Sequence, residues 1–287
     1  MNTEELKRVE EVLTLYEIEA VKDLYVEGSL DKSLMEWFLR EHGRDDVAVY
    51  TADILDVSNT LLLKHGLRFP SNRSKLVALS YELAGLRSVT SSVLCIVDRD
   101  YDDVMSITRQ NPFLALTDFN SMENYVLSNK HVRKFVTVAL GNLPCDIDTL
   151  LPQLGMILRQ LFYIRAANEK LSWGMKWICP RKYITVRRDS LVFDCAAFVH
   201  VLLLKNGRST QRSTFQKSID SIASVSPSDD RLAIRGHDLM DILHLVASKL
   251  HPKRNYGDTC FFGCAFLASV AVDDLAQYEL FRNVLRM

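Results

Sequence analysis

No stretch of this 287-residue chain approaches the roughly 20 consecutive apolar residues that a membrane-spanning helix needs. The longest candidate, residues 261–272, is too short and reads as a buried helix. The start, Met1-Asn2-Thr3-Glu4-Glu5, is acidic and lacks the apolar segment of a secretory signal, so a cytoplasmic protein is expected. Cysteines are few and scattered, at Cys95, Cys145, Cys179, Cys195, Cys260 and Cys264. Cys260 and Cys264 could share a helix face, but no further Cys or His stands at a zinc-site spacing. Buried free thiols are the expectation. Nucleophile spacings of the Ser/His/Asp or Cys/His kind are missing, and His200, His237, His244 and His251 read as structural. Repeats and low-complexity segments are also missing. Gly28-Ser29-Leu30-Asp31-Lys32-Ser33 imitates a phosphate-binding loop, but Asp31 precedes Lys32 and the upstream glycine is absent, so ATP binding of the P-loop kind is excluded.

An excess of charge is lacking too: the formal net charge is −1. The distribution is less even. Residues 1–135 hold 16 Lys/Arg against 22 Asp/Glu, and residues 136–287 hold 19 against 14. The segment 170–217 alone carries ten basic residues and two acids. An acidic half beside a basic half fits a metal centre next to a polyanion track, although solvated faces alone produce the same split.

Apolar residues at 6, 9, 12, 13, 16 and 20 predict an amphipathic helix over 3–22. Residues 23–26 form a β-prone run closed by Glu27-Gly28, and a helix follows over 30–42 with Asp31 in its first turn. Residues 47–51 read as a strand and 71–85 as a helix stopped at Gly85. The run Val93-Leu94-Cys95-Ile96-Val97 is apolar throughout, as in a strand buried on both faces. Residues 113–117 form a further strand. Short strands alternating with helices predict an α/β fold with a mostly parallel sheet flanked by helices over 1–135. Helical patterns at 150–170 and 238–250 predict a mainly helical, basic region over 136–287.

In such sheets ligands bind outside the carboxyl ends of the strands. Glu27, Asp98 and Asp118 all fall at that edge. Asp98 and Asp100, two residues apart just past a strand, can share a hard divalent cation with Glu27, since Mg²⁺ takes one or two carboxylates and keeps several waters. Loop starts and helix caps account equally well for any single one of these acids. Asp102, Asp103 and Glu123 are further candidates for the cluster; Asp118 or Ser121 is expected to cap a helix starting there. Lys32 is placed to touch a substrate phosphate or to neutralise the acids. Lys176, Arg181, Lys182, Arg187, Arg188, Arg208 and Arg212 form the candidate nucleic-acid surface, with Lys205 and Lys217 beside them. Trp173, Trp177 and Tyr183 are interleaved, either as base-stacking platforms or as core.

Leu24-Tyr25-Val26-Glu27-Gly28, Asp31-Lys32 and Ile96-Val97-Asp98-Arg99-Asp100 together resemble the Toprim domain of topoisomerases, primases and OLD-type nucleases. There a Glu ends the first strand, an Asp-x-Asp follows the third, and the acids bind Mg²⁺ for strand cleavage or phosphoryl transfer. The block Ser121-Met122-Glu123-Asn124-Tyr125 and the later Gly236-His237-Asp238-Leu239-Met240 resemble a bacterial family of Toprim-related proteins that includes the effector of the PARIS anti-phage system. The resemblance implies a Mg²⁺-dependent nuclease toxin, with Mn²⁺ as a substitute metal, held inactive by a separate ATPase sensor. A phage trigger releases it to cleave host tRNA, and a homodimer on release is allowed. Carried over, Glu27, Asp98 and Asp100 are the metal-site acids, with Lys32 as a catalytic candidate. The alternatives are a Toprim DNA nuclease or nickase, and a non-catalytic subunit of an ATPase.

Overall fold

The computed structural model describes residues 6–67 and 69–287. The acidic start 1–5, and with it the beginning of the helix expected over 3–22, lies outside the described residues. The chain begins with β1 (Lys7–Arg8), α1 (Val9–Ile18), β2 (Lys22–Val26), α2 (Ser29–Glu41), β3 (Ala48–Thr51), β4 (Leu55–Asp56), α3 (Asn59–Lys64), α4 (Asn72–Gly85) and β5 (Ser92–Val97). Then come α5 (Asp102–Met105), β6 (Leu114–Leu116), α6 (Asn129–Lys134) and the long α7 (Ile147–Lys170). The remaining elements are β7 (Ile184–Arg187), β8 (Ser190–Phe193), α8 (Cys195–Lys205), α9 (Arg212–Val225), α10 (Gly236–Leu250), α11 (Thr259–Leu267), α12 (Val272–Leu275) and α13 (Glu279–Leu285).

The fold is α/β. Four parallel strands make one sheet in the order β3-β2-β5-β6. The central strands β2 and β5 are the most apolar: Leu24, Tyr25, Val26, Cys95, Ile96 and Val97 are all buried. A parallel sheet covered on both faces demands this continuous, non-alternating pattern. The chain moves from β2 to one neighbour, β3, and then crosses back to β5 on the other side of β2. The strand order therefore reverses between β2 and β5, which makes the gap beyond their carboxyl ends the topological switch point.

Helix α4 covers this region with an unbroken apolar wall: Leu76, Val77, Leu79 and Leu83 are fully buried in the same core as Tyr25, Val93, Cys95 and Val97. Helix α1 is tied to β2 by Tyr16, whose hydroxyl donates to Asp23 Oδ2 at 2.7 Å and lies 2.6 Å from the Tyr25 hydroxyl. Burial pushes the Asp23 carboxyl above its ordinary range, against the hydrogen bond from Tyr16. Helix α1 is shorter than the periodicity suggested because Lys7 and Arg8 pair as a strand with Leu55 and Asp56.

By contacts the chain divides into two compact units, and neither is one continuous stretch. The first contains residues 1–99, 108–118 and 271–287; the second contains 100–107 and 119–270. This division differs from a single cut near residue 135, because the last helices pack into the first unit. Phe281 of α13 meets Phe38 of α2 edge-on at 4.8 Å. Asp118 is the other tether: its Oδ1 and Oδ2 accept from the backbone N–H groups of Glu279 and Leu280, both at 3.1 Å. Asp118 therefore caps α13, 161 residues away, rather than a helix starting at its own position. Replacing Asp118 by alanine is expected to cost about 1 kcal/mol and to speed amide exchange over Glu279–Leu285 while leaving α4 protected, as hydrogen-exchange mass spectrometry can measure.

The second unit is mainly helical with one hairpin, β7 with β8. Its core is built on α7, whose Leu154, Leu158, Leu161 and Phe162 are buried, and on α8, α9 and α10. A 3₁₀ turn, Pro180–Tyr183, leads directly into β7. The expectation of buried thiols holds for Cys95, but Cys179, Cys260 and Cys264 are exposed. The helix carrying the last two turns that face outward.

Candidate metal centre

Glu27 is the residue after β2 and Asp98 the residue after β5. These strands are hydrogen-bonded neighbours running the same way, so both carboxylates emerge at the switch point. The side chain of Glu27 is oriented by the other strand: its Oε1 accepts the Asp98 backbone N–H at 2.9 Å. Gly28 then opens α2, and its N–H donates to Asp31 Oδ2 at 3.0 Å. Asp31 thus serves the start of α2 in the manner of a first-turn carboxylate. Lys32 sits one residue on, with its ammonium 3.8 Å from Glu36 along the same helix.

Asp100 follows at two residues from Asp98 and belongs to the second unit. Its φ of 50° is left-handed, a conformation in which Asp is enriched among non-glycine residues, and its N–H donates to the Asn120 carbonyl at 3.3 Å. Asp102 and Asp103 lie in the first turn of α5, Asp102 buried and Asp103 exposed. The structure thus brings Glu27 together with Asp98 within the first unit and sets Asp100 on a strained turn. Among the described residues no three His, Cys, Asp or Glu side chains are gathered as a metal-holding cluster. The chemistry of the Glu27–Asp98 pair nonetheless fits a hard divalent cation, which needs only one or two carboxylates when waters fill the other positions.

The block around Glu123 is built differently from the helix expected there. Met122–Val126 is a 3₁₀ turn, and Ser121 makes no side-chain cap. Asn124 Nδ2 donates to the carbonyls of Arg231 (2.8 Å) and Ile234 (2.6 Å), and the Asn120 N–H donates to Arg231 O at 3.0 Å. Glu123 lies so close to Gly236 that a Cβ there would sit 1.8 Å from Oε2, and 2.6 Å from Ser121 Oγ. Gly236 is therefore required by close approach. Asp238 of the same late block is buried and held by Arg165 through two 2.8 Å bonds.

On the basic segment, Lys176, Lys182, Arg187, Arg188 and Arg212 are exposed. Arg187 and Arg188 end β7 and enter the tight turn to β8. Arg181 is turned toward Asp241 (3.9 Å) and His244 Nδ1 (3.1 Å). The interleaved aromatics are committed to packing: Trp173 stacks on Phe215 at 5.4 Å beneath Arg208, and Trp177 lies against Phe198 beneath Arg165. Tyr183 meets Phe198 edge-on. His244 is likewise structural, with Nε2 3.1 Å from the Gly257 carbonyl.

Sequence reasoning missed a group in the first turn of α4. Asn72 Nδ2 donates to Glu27 O at 2.8 Å, and Arg73 Nε donates to Asp98 O at 3.0 Å. The available signal was positional: a helix that connects parallel strands starts at the edge where those strands end, and Ser71 marks such a start. No helix among the described residues is long and apolar enough to cross a membrane. No protein-family model and no curated protein matches the chain.

Proposed function

We propose that this chain is a Toprim-like, Mg²⁺-dependent phosphodiesterase: a cytoplasmic nuclease acting on RNA, with tRNA as the expected substrate. The observation that carries the reading is the position of Glu27 and Asp98, which end neighbouring parallel strands at the point where strand order reverses. Two oxygen-donor residues there suit a phosphate-handling metal; the motif resemblance alone adds Asp100 as a third acid. When bound, Mg²⁺ supplies charge stabilisation at a phosphoryl group and acidifies a coordinated water. Glu27 and Asp98 hold and orient. The exposed Lys176, Lys182, Arg187, Arg188 and Arg212 bind phosphates; the packed state of Trp173, Trp177 and Tyr183 favours contact with the backbone over stacking on bases. The motif resemblance extends the proposal to a toxin effector of a PARIS-like anti-phage system, held by a separate ATPase chain and released by a phage trigger.

The experiment is to incubate the purified chain with labelled tRNA and with supercoiled plasmid, each with Mg²⁺ or Mn²⁺. Cleavage of tRNA alone supports the proposal. Nicking of plasmid alone replaces it with a DNA nuclease, and inertness toward both, with Mg²⁺ stabilisation that survives Asp98→Ala, replaces it with a non-catalytic partner. Arg187→Ala and Arg188→Ala are each expected to weaken tRNA binding whatever the base sequence. Each should also flatten the plot of log affinity against log salt by roughly one, which fluorescence anisotropy across a salt series measures.

A further inference from the structure

We infer that the first turn of α4 is a clamp that sets the geometry of the Glu27–Asp98 pair, with Arg73 and Asn72 as its positioning residues. Its consequence for metal binding rests on the reading of that pair given above. Three parallel strands finish at one edge, and this single turn reaches all three. Asn72 Nδ2 bridges the end of β2, at Glu27 O (2.8 Å), to the segment after β3, at Asp53 Oδ1 (3.1 Å). Arg73 takes the end of β5: Nε donates to Asp98 O at 3.0 Å and Nη2 reaches Arg99 O at 3.5 Å. Lys75 adds a bond from Nζ to Leu55 O at 2.8 Å.

The turn itself is fixed. Ser71 Oγ accepts the Ser74 N–H at 3.1 Å as the helix cap, and Leu76, Val77, Ala78 and Leu79 directly behind are fully buried. Asn72 and Arg73 thus transmit the position of a rigid core helix to the backbones that carry both carboxylates. The contact between Glu27 Oε1 and the Asp98 N–H requires those two backbones in register. Sites of this kind work only when supporting residues hold the ligating groups to within a fraction of an ångström. Arginine suits the role because its donors are spread on a rigid planar fork, which a lysine ammonium does not reproduce.

The test uses the whole chain. In metal-free protein the Asp98 amide, identified by NMR, reports the clamp directly. Arg73→Ala is expected to raise its exchange rate about tenfold, with the amides of Leu24 and Ile96 unchanged. Mn²⁺, followed by electron paramagnetic resonance, is expected to bind Arg73→Ala roughly 10- to 100-fold more weakly than wild type. Arg73→Lys should recover part of that loss, and Asn72→Ala should behave as Arg73→Ala. An unchanged Asp98 exchange rate overturns the clamp whatever Mn²⁺ does. Faster exchange with unchanged Mn²⁺ affinity also overturns it, since the turn then supports only the fold. If wild type binds no Mn²⁺ in a Glu27-dependent way, the metal reading fails and the exchange rate alone decides the clamp. Should Arg73→Ala not fold, Arg73→Lys and Asn72→Ala carry the same measurements.

Discussion

On the proposed nuclease reading, Glu27→Ala is expected to lower the rate of RNA cleavage by at least about 10²-fold, the scale associated with losing a general base or a charge-stabilising group. The fold should survive, because Glu27 lies just past β2 and the buried residues that secure that strand are Leu24, Tyr25 and Val26. The substitution removes the carboxylate that accepts the Asp98 N–H and leaves the strand pairing of β2 with β5 intact. Co-expression of the chain with its neighbouring gene and a trigger, wild type against Glu27→Ala, gives the growth readout; purified protein on labelled tRNA gives the rate. Glu27→Asp separates two roles. If the carboxylate only completes a charge cluster, the shorter acid retains much of the activity. If its oxygen must occupy one position, set by the Asp98 amide, activity falls nearly as far as with alanine. Equal toxicity of wild type and Glu27→Ala would remove Glu27 from the chemistry altogether.

The largest effect on stability is expected at Arg165→Leu. Asp238 is only 4% exposed, and both of its oxygens accept from Arg165, from Nε and Nη2 at 2.8 Å each. Such a two-point pair fixes orientation as well as charge. Arg165 also lies 3.8 Å above the Trp177 ring, so a lysine would lose both the fork and the stacking. Taking away the arginine leaves a buried carboxylate without its two-point partner; its place in the first turn of α10 gives back only part of the loss. The expected cost is about 3–5 kcal/mol, seen as a lower urea midpoint at unchanged slope. The double variant Arg165→Leu with Asp238→Leu should regain most of that loss, because no buried charge is then left alone. A single variant within about 0.5 kcal/mol of wild type would show that water reaches Asp238.

What could be read from the sequence was whatever depends on near neighbours. The apolar run Val93–Val97 announces a central parallel strand, and an acid placed directly after it must stand at the ligand edge; Asp98 and Glu27 were legible for that reason. Ser71 caps the start of α4 and Gly85 marks its end, and the helix is observed as Asn72–Gly85. Asp118 was not legible. Its carboxylate looked like a local cap or a metal acid, and its partners stand at Glu279 and Leu280, a pairing with no periodicity to betray it. Trp173 and Trp177 stayed open between two readings, of which the packed one is observed: alternation of aromatic and basic residues is shared by a base-stacking surface and by a core sealed with arginines, and only the rings of Phe215 and Phe198 decide between them. The need for glycine at 236 was not legible either, since the reason for it is Glu123, more than a hundred residues earlier.

The return of residues 271–287 to the first unit has a consequence for synthesis. A ribosome delivers the chain in order, and domains ordinarily fold as they emerge. Here the sheet that bears Glu27 and Asp98 is made early, but Phe38 has no Phe281 to meet, and Asp118 no helix to cap, until α13 has left the exit tunnel. The unit bearing the acid pair is thus completed only after the basic helical unit has been translated. Order of manufacture in this chain leaves the first unit to be closed by its own last helices after the second unit has emerged.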